Sequence, residues 1–218
     1  MKVKTCSRIK YLLTMLTAMM VILTASSAHA AKQDDPYLMI QEVAGLTFER
    51  MKKEKDAIKQ DPELLRKVME EELLPYIDYR FSAFKVLGKY AQKVPREKLL
   101  EFVSVFREYL ITSYAVALGY YDDQFVEFAP AIDFDGRSDV TVRAVIKDDE
   151  RPDIKVAFKV RKDRKSNEWQ AYDMVAEGIS LLSSKRSEFE SVLRQDGIDR
   201  VIELMRESIE QPIVLEEK

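Results

Sequence analysis

The spacing of apolar residues changes once along the chain and then changes back, and this order limits the folds that the chain can adopt. Between residues 36 and 117 apolar residues recur every three or four positions, which is typical of helices with one buried face. From residue 124 to about residue 180 they alternate with polar residues, as in half-buried strands. Helical spacing then returns up to residue 209. Consecutive strands with helices before and after them predict an α+β fold.

Proline, glycine and turn residues divide the helical parts. Helices are predicted over residues 36–55, 61–73, 76–88 and 95–117, and the last of these has one apolar face over about five turns. Asp61 is the predicted N-cap of the second helix, and Pro75 stops or kinks it. After the strands, Ser183 or Ser184 is predicted to cap a helix that ends at Gly197, and a last helix covers 198–209.

Four strands are predicted, over residues 124–129, 140–146, 154–161 and 168–180. The third alternates most cleanly, with Val156 and Phe158 on one face and Lys155 and Lys159 on the other. Gly178 is interpreted as a bulge within the fourth strand. We therefore predict a curved antiparallel sheet of about four strands packed against helices, with an apolar cavity between the two layers.

The first thirty residues have the three parts of a secretory signal. Four basic residues precede an uncharged apolar run over residues 11–24, and Ala28 and Ala30 supply the small residues before a cleavage site. We expect removal after about Ala30, which leaves 31–218 as a single domain in the periplasm. A retained membrane anchor is the alternative, but the apolar run is short for a membrane span.

Export changes the chemistry that is available. Cys6 and His29 are the only cysteine and histidine, and both lie in the predicted signal. The mature chain therefore cannot form a Cys/His zinc site, a cysteine nucleophile or a Ser-His-Asp triad. Four of the 35 Lys and Arg but none of the 38 Asp and Glu are removed, so the net charge becomes −7, which argues against a nucleic-acid partner. We predict no metal and no cofactor.

Asp173 is the one carboxylate predicted within an apolar strand. Strict alternation places it on the face of Trp169, where a buried carboxylate must be paired or protonated. Arg143 and Lys155 are the partners expected on neighbouring strands. A structural tie is favoured over a general base, because ion-pair networks also hold buried carboxylates.

Several short runs resemble one family in the same order along the mature chain. They are Glu72-Leu-Leu-Pro-Tyr76, Val86-Leu-Gly88, Phe106-Arg-Glu-Tyr-Leu110, Trp169-Gln-Ala-Tyr-Asp-Met174, Ala176-Glu-Gly178, Leu193-Arg194, Gly197-Ile-Asp199 and Leu215-Glu-Glu-Lys218. The chain resembles the MlaC family, and the run from Trp169 to Met174 is the most specific of these.

The resemblance implies a function and a fold. MlaC proteins are soluble periplasmic carriers of Gram-negative cells with a nuclear-transport-factor-like fold. They bind glycerophospholipid acyl chains and are not enzymes. They exchange lipid with an outer-membrane lipoprotein–porin complex and an inner-membrane MCE-ring/ABC transporter complex, and so maintain outer-membrane lipid asymmetry.

The apolar helix and strand faces would then line the lipid pocket, although the same residues are equally typical of an ordinary core. The predicted lipid-binding residues are Leu74, Tyr76, Phe84, Phe106, Leu110, Tyr114, Val140, Val142, Ile154, Val156, Phe158, Trp169, Tyr172 and Met174. Two alternatives stay open: a carrier of hopanoid or sterol-like lipids, and an isomerase on the same fold that uses Asp173 as its base.

Overall fold

The computed structural model describes residues 33–121, 124–148 and 152–215. Its α-helices are α1 (Pro36–Lys53), α2 (Lys55–Gln60), α3 (Leu64–Val68), α4 (Tyr79–Leu87), α5 (Arg96–Leu118), α6 (Leu181–Gln195) and α7 (Gly197–Ile209). Its strands are β1 (Phe125–Phe128), β2 (Asp139–Lys147), β3 (Ile154–Lys162), β4 (Trp169–Ala176) and β5 (Ile179–Ser180). The predicted signal, residues 1–30, lies outside the described residues, as do residues 216–218 of the run Leu215–Lys218.

The strands form one antiparallel sheet in the order β1-β2-β3-β4-β5. This confirms the predicted α+β class, with one more strand than expected. Glu177 and Gly178 both have positive φ, 48° and 81°. Two such residues make the tight turn that joins neighbouring antiparallel strands. The interpretation of Gly178 as a bulge was therefore wrong, because the chain reverses there and begins β5.

The bulge of the sheet lies at Tyr172 instead. Val160 of β3 pairs with Ala171 and Lys159 pairs with Asp173, so Tyr172 is an extra residue of β4. An extra residue shifts every later side chain to the opposite face. Asp173 consequently does not share a face with Trp169, as strict alternation predicted, but lies on the face of Lys159.

The predicted helix 61–73 is shorter and less regular than expected. Asp61 ends α2, and its carboxylate accepts a hydrogen bond from the Glu63 amide at 3.2 Å without capping a helix. After α3 the backbone widens to a π-helical turn over Met69–Leu73 and then tightens to a 3-10 turn over Leu74–Tyr76. Pro75 has no amide hydrogen to continue an α-helix, which accounts for the end of the helix here.

Two helix starts also differ from the prediction by a few residues. Asp78 caps α4 by accepting a hydrogen bond from the Phe81 amide at 2.9 Å. Ser180, not Ser183 or Ser184, caps α6, because its hydroxyl accepts from the Ser183 amide at 3.0 Å. Gly197 follows α6 with a φ of 81°, which is the left-handed conformation expected after a helix end.

Buried apolar side chains form three clusters. The first joins α4, α5, α6 and α7, and includes Phe102, Phe106 and Met205. The second packs α1 against the sheet, and the third packs the end of α1 against α2, α3 and α5. Leu73, in the π-helical turn, contacts both the first and the second cluster. This turn therefore joins the helical layer to the layer that contains the sheet.

Candidate functional site

One face of the sheet is apolar across its four longer strands. Cross-strand pairing aligns its side chains in rows: Val140–Val160–Ala171, Val142–Phe158–Met174, Phe128–Ala144–Val156–Ala176 and Val126–Ile146–Ile154. We call these residues the apolar sheet face. Side chains in such rows pack against one another as well as against whatever covers the sheet.

Helix α1 covers one end of this face and leaves the other end open. Tyr37, Met39, Ile40 and Val43 of α1 pack in one cluster with the sheet residues Val140, Val142, Val160 and Trp169. At the opposite end, Ile154 is 44% exposed, and Ile179, beside Ala176 on β5, is 62% exposed. An apolar face that is closed at one end and exposed at the other is suited to admit an apolar ligand.

Most of the predicted lipid-binding residues lie in two groups. Val140, Val142, Ile154, Val156, Phe158 and Met174 belong to the apolar sheet face, and Trp169 and Tyr76 pack beside it. In the helical layer, Leu74, Phe106 and Leu110 are buried in the first cluster, and the half-buried Tyr114 packs against that cluster. The structure thus unites the strand residues but places the helix residues in a separate cluster.

Two predicted residues lie elsewhere. Phe84 is 46% exposed on α4. Tyr172, at the bulge, packs edge-on against Phe81 with ring centroids 5.1 Å apart, on the side of the sheet that carries Arg161. The structure therefore does not bring either side chain to the apolar sheet face, and their part in lipid binding stays a prediction.

Asp173 is buried and fully engaged. Its carboxylate lies 3.2 Å from the Lys159 ammonium group and accepts hydrogen bonds from the Ser180 hydroxyl at 2.8 Å and the Leu182 amide at 3.1 Å. The expected partners Arg143 and Lys155 were wrong, because the bulge aligns Asp173 with Lys159. These contacts join β3, β4 and the start of α6, as in a structural tie.

Tyr114, in the helical layer, is influenced electrostatically by Asp173. Burial, together with the negative charge of Asp173, raises the pKa of Tyr114 to about 12. Its hydroxyl therefore stays protonated across the physiological pH range and can donate a hydrogen bond, but it is a poor acid.

Sequence reasoning missed the contribution of α1. The helical spacing of Met39, Ile40 and Val43 is visible in the sequence, but spacing alone does not tell which surface a helix covers. A cavity between sheet and helices stays a prediction.

Two cavities lie outside the apolar contact between α1 and the sheet. One, of about 470 Å³, is lined by both polar and apolar residues, mostly of α3, α5 and the end of α7, including Arg66, Glu108 and Ile111. The other, of about 210 Å³, opens on the polar side of the sheet. Within the described ranges, no cluster of three or more potential metal ligands was found, and no helix is long and apolar enough to span a membrane.

Fold and site together define a class: an α+β protein built around an open antiparallel sheet with one continuous apolar face. The chain belongs to the MlaC family, whose model, described as MlaC protein, matches residues 41–207. This confirms the resemblance seen in the sequence runs.

Two relatives illustrate the likeness. The chain is 32% identical over 200 residues to the intermembrane phospholipid transport system binding protein MlaC of Haemophilus influenzae, covering 91% of each chain. Its fold matches a phospholipid-binding protein from Ralstonia solanacearum solved in complex with a phospholipid, with a TM-score of 0.71. That match is 19% identical and covers 80% of this chain and 97% of the other.

Proposed function

We propose that this protein is a periplasmic carrier that holds the acyl chains of a glycerophospholipid against the apolar sheet face. The observation that carries the proposal is the continuous apolar face of β1–β4, covered by α1 at one end and exposed at Ile154 and Ile179. Membership of the MlaC family and the phospholipid-binding relatives support the choice of cargo.

The energetics explain why such a carrier is needed. Exposing apolar groups to water costs about 0.8 kcal/mol per methylene, so two chains of about fifteen methylenes cost roughly 24 kcal/mol. Free diffusion of a phospholipid through an aqueous compartment is negligible at that cost. A carrier must offer apolar surface of comparable extent, and the rows of the sheet face supply part of it.

Export and lipid exchange complete the proposed path of the carrier in the cell. Residues 1–30 direct export and are removed after about Ala30, leaving 31–218 as one lipid-binding domain. The loaded carrier exchanges lipid with an outer-membrane lipoprotein–porin complex and an inner-membrane MCE-ring/ABC transporter complex, and so maintains outer-membrane lipid asymmetry. The phospholipid is cargo rather than a cofactor, and the carrier has no catalytic role.

Within the binding site, we propose that Val142, Val156, Phe158 and Met174 contact the cargo directly. Leu74, Phe106, Leu110 and Tyr114 contribute from the helical layer if the first cluster opens towards the cargo during loading. A role for Phe84 or Tyr172 requires cargo contacts beyond the apolar sheet face.

Neighbouring residues of β3 provide a matched test. Phe158 lies on the apolar sheet face and Ala157 on the other, and both are half-buried. We expect Phe158→Asp to lower the lipid taken up from vesicles at least about tenfold, because a carboxylate then faces the acyl chains. Ala157→Asp should change uptake less than about twofold. Circular dichroism checks that both variants fold. Equal uptake by the two folded variants would show that the cargo does not lie on this face.

A further inference from the structure

The cavity of about 210 Å³ is lined mainly by residues on the side of the sheet opposite the apolar sheet face, and Val140 of that face borders it. Its walls come from the loop before β2, from β2 and from the bulge of β4, and include Ile132, Arg137, Asp139, Thr141, Arg143 and Tyr172. Pockets that enclose drug-sized ligands have about 300–1,000 Å³, so this one suits a smaller group. It is too small for a pair of acyl chains.

Two guanidinium groups in this cavity have no partner. Arg137 and Arg143 are exposed, and the guanidinium group of neither makes an ion pair or hydrogen bond within the described parts of the chain. By contrast, the neighbouring cations are paired with carboxylates: Arg161 lies 2.5 Å from Asp78, and Lys159 lies 3.2 Å from Asp173. Asp139 is the one carboxylate among the lining residues. The lining therefore has an excess of positive charge that no described group neutralises.

The donors in the cavity match an oxyanion. A guanidinium group presents planar N–H donors that fit two oxygens of a phosphate or carboxylate. The hydroxyls of Thr141 and Tyr172 can add further donors. Burial and then the charge of Asp139 raise the pKa of Tyr172, so its hydroxyl keeps its proton at neutral pH. Asp139 opposes a fully ionised ligand, but it can accept a hydrogen bond from a protonated phosphate oxygen.

We propose that this cavity is a binding site for a phosphate group, distinct from the site of the acyl chains. The phosphate can belong to a lipid headgroup at a membrane surface or to a free soluble phosphate. The site lies across the sheet from the proposed cargo, so the proposal goes beyond the carrier function and does not depend on it.

The test uses the mature full-length chain and inorganic phosphate as the probe. Titration calorimetry should show saturable binding, and Arg137→Gln combined with Arg143→Gln should weaken it at least about tenfold. Lys155→Gln is the matched control. Lys155, on β3, is an exposed cation on the same face of the sheet as Arg143 but does not line the cavity. The control should weaken binding less than about twofold.

A second readout needs no variant. In the nuclear magnetic resonance spectrum of the unchanged protein, phosphate should shift the amide signals of Thr141, Arg143 and Tyr172 more than that of Lys155. Absence of saturable binding, or equal weakening in the Lys155→Gln control, would overturn the proposal. In either case the lipid content of the variants, measured separately, reports on the carrier function alone.

Vesicles identify the source of the phosphate. Flotation with phosphatidylglycerol vesicles that weakens in the double arginine variant but not in the control supports a headgroup ligand. Phosphate binding without any arginine-dependent flotation supports a soluble ligand. Both outcomes support the phosphate site. The site would be excluded if the arginine changes affected neither flotation nor phosphate binding.

Discussion

Asp173 joins three elements through a single carboxylate. Lys159, Ser180 and Leu182 approach it from β3, β5 and α6, and the Asp173 side chain is only 3% exposed. The sequence shows that such a residue must be paired, but the identity of its partner depends on the bulge one residue earlier. Composition and spacing contain no signal for that bulge, so the partner could not be predicted.

Asp173→Asn tests this role. Loss of the charge should lower the free energy of unfolding by about 1–3 kcal/mol, because Lys159 and the Ser180 hydroxyl lose a charged acceptor. Asp153→Asn, which removes an exposed pair with Lys147, should cost about 1 kcal/mol or less. Urea unfolding measures both. A folded Asp173→Asn protein should still load lipid normally, and failure to load despite a native fold would reopen a chemical role for this carboxylate.

Tyr114 predicts a pH dependence. Its pKa is about 12 in the folded protein and about 10 when unfolded. The folded state therefore holds the proton more tightly, so the stabilisation is complete below pH 10 and is lost as the pH rises from 10 to 12. We expect the ionisation of Tyr114 to lower the free energy of unfolding by about 1–3 kcal/mol over this pH range.

The contribution can be isolated by difference. Urea unfolding should be measured for the wild type and for Tyr114→Phe at pH 8 and at pH 11. The free energy of unfolding should fall less between the two pH values in the variant than in the wild type. Tyr120→Phe, at an exposed position of the same region, should behave like the wild type. Identical pH dependence in all three proteins would contradict the assignment.

At the scale of elements, the sequence predicted regular structure well and irregular structure poorly. Helix α5 and strands β2 and β3 are present within a few residues of the predicted bounds, because their periodicity continues over many residues. The π-helical turn and the turn at Glu177–Gly178 were missed, because each depends on tertiary contacts or backbone conformation at one or two residues.

Arg50 holds the π-helical turn against α1. Its guanidinium group lies 2.8 Å from Glu71, 2.7 Å from Glu72 and 3.1 Å from Glu54, and its side chain is 17% exposed. Burial acts to lower the pKa of Arg50, but these carboxylates outweigh it and raise the pKa. The arginine thus stays charged between three acidic side chains.

Arg50→Gln should therefore cost about 1–3 kcal/mol of unfolding free energy, since Glu54 and Glu72 lose this cation and Glu71 keeps only the more distant Lys67, at 3.9 Å. Arg200→Gln is the control, because Arg200 also contacts two carboxylates, Glu203 and Glu207, but on the exposed surface of α7. It should cost about 1 kcal/mol or less. Chemical unfolding compares the two, and equal losses would show that the contacts of Arg50 are no stronger than surface pairs.

At the scale of the whole molecule, periodicity does not separate a core from a ligand-binding surface, because both consist of the same side chains. The family resemblance favoured a lipid carrier, and family membership is now established. The structure adds one apolar sheet face, closed at one end by α1 and exposed at Ile154 and Ile179, as the proposed place for the cargo.

Analysis of the bound lipid tests whether the protein carries glycerophospholipid. Mature protein, purified from the periplasm without detergent, should be extracted with organic solvent, and the extract analysed by mass spectrometry. We expect glycerophospholipid in an amount comparable to the protein, and much less in Phe158→Asp than in Ala157→Asp. Hopanoid or sterol-like lipid instead would change the identity of the cargo. Folded protein that contains no lipid and takes up none from vesicles would exclude the proposed carrier function.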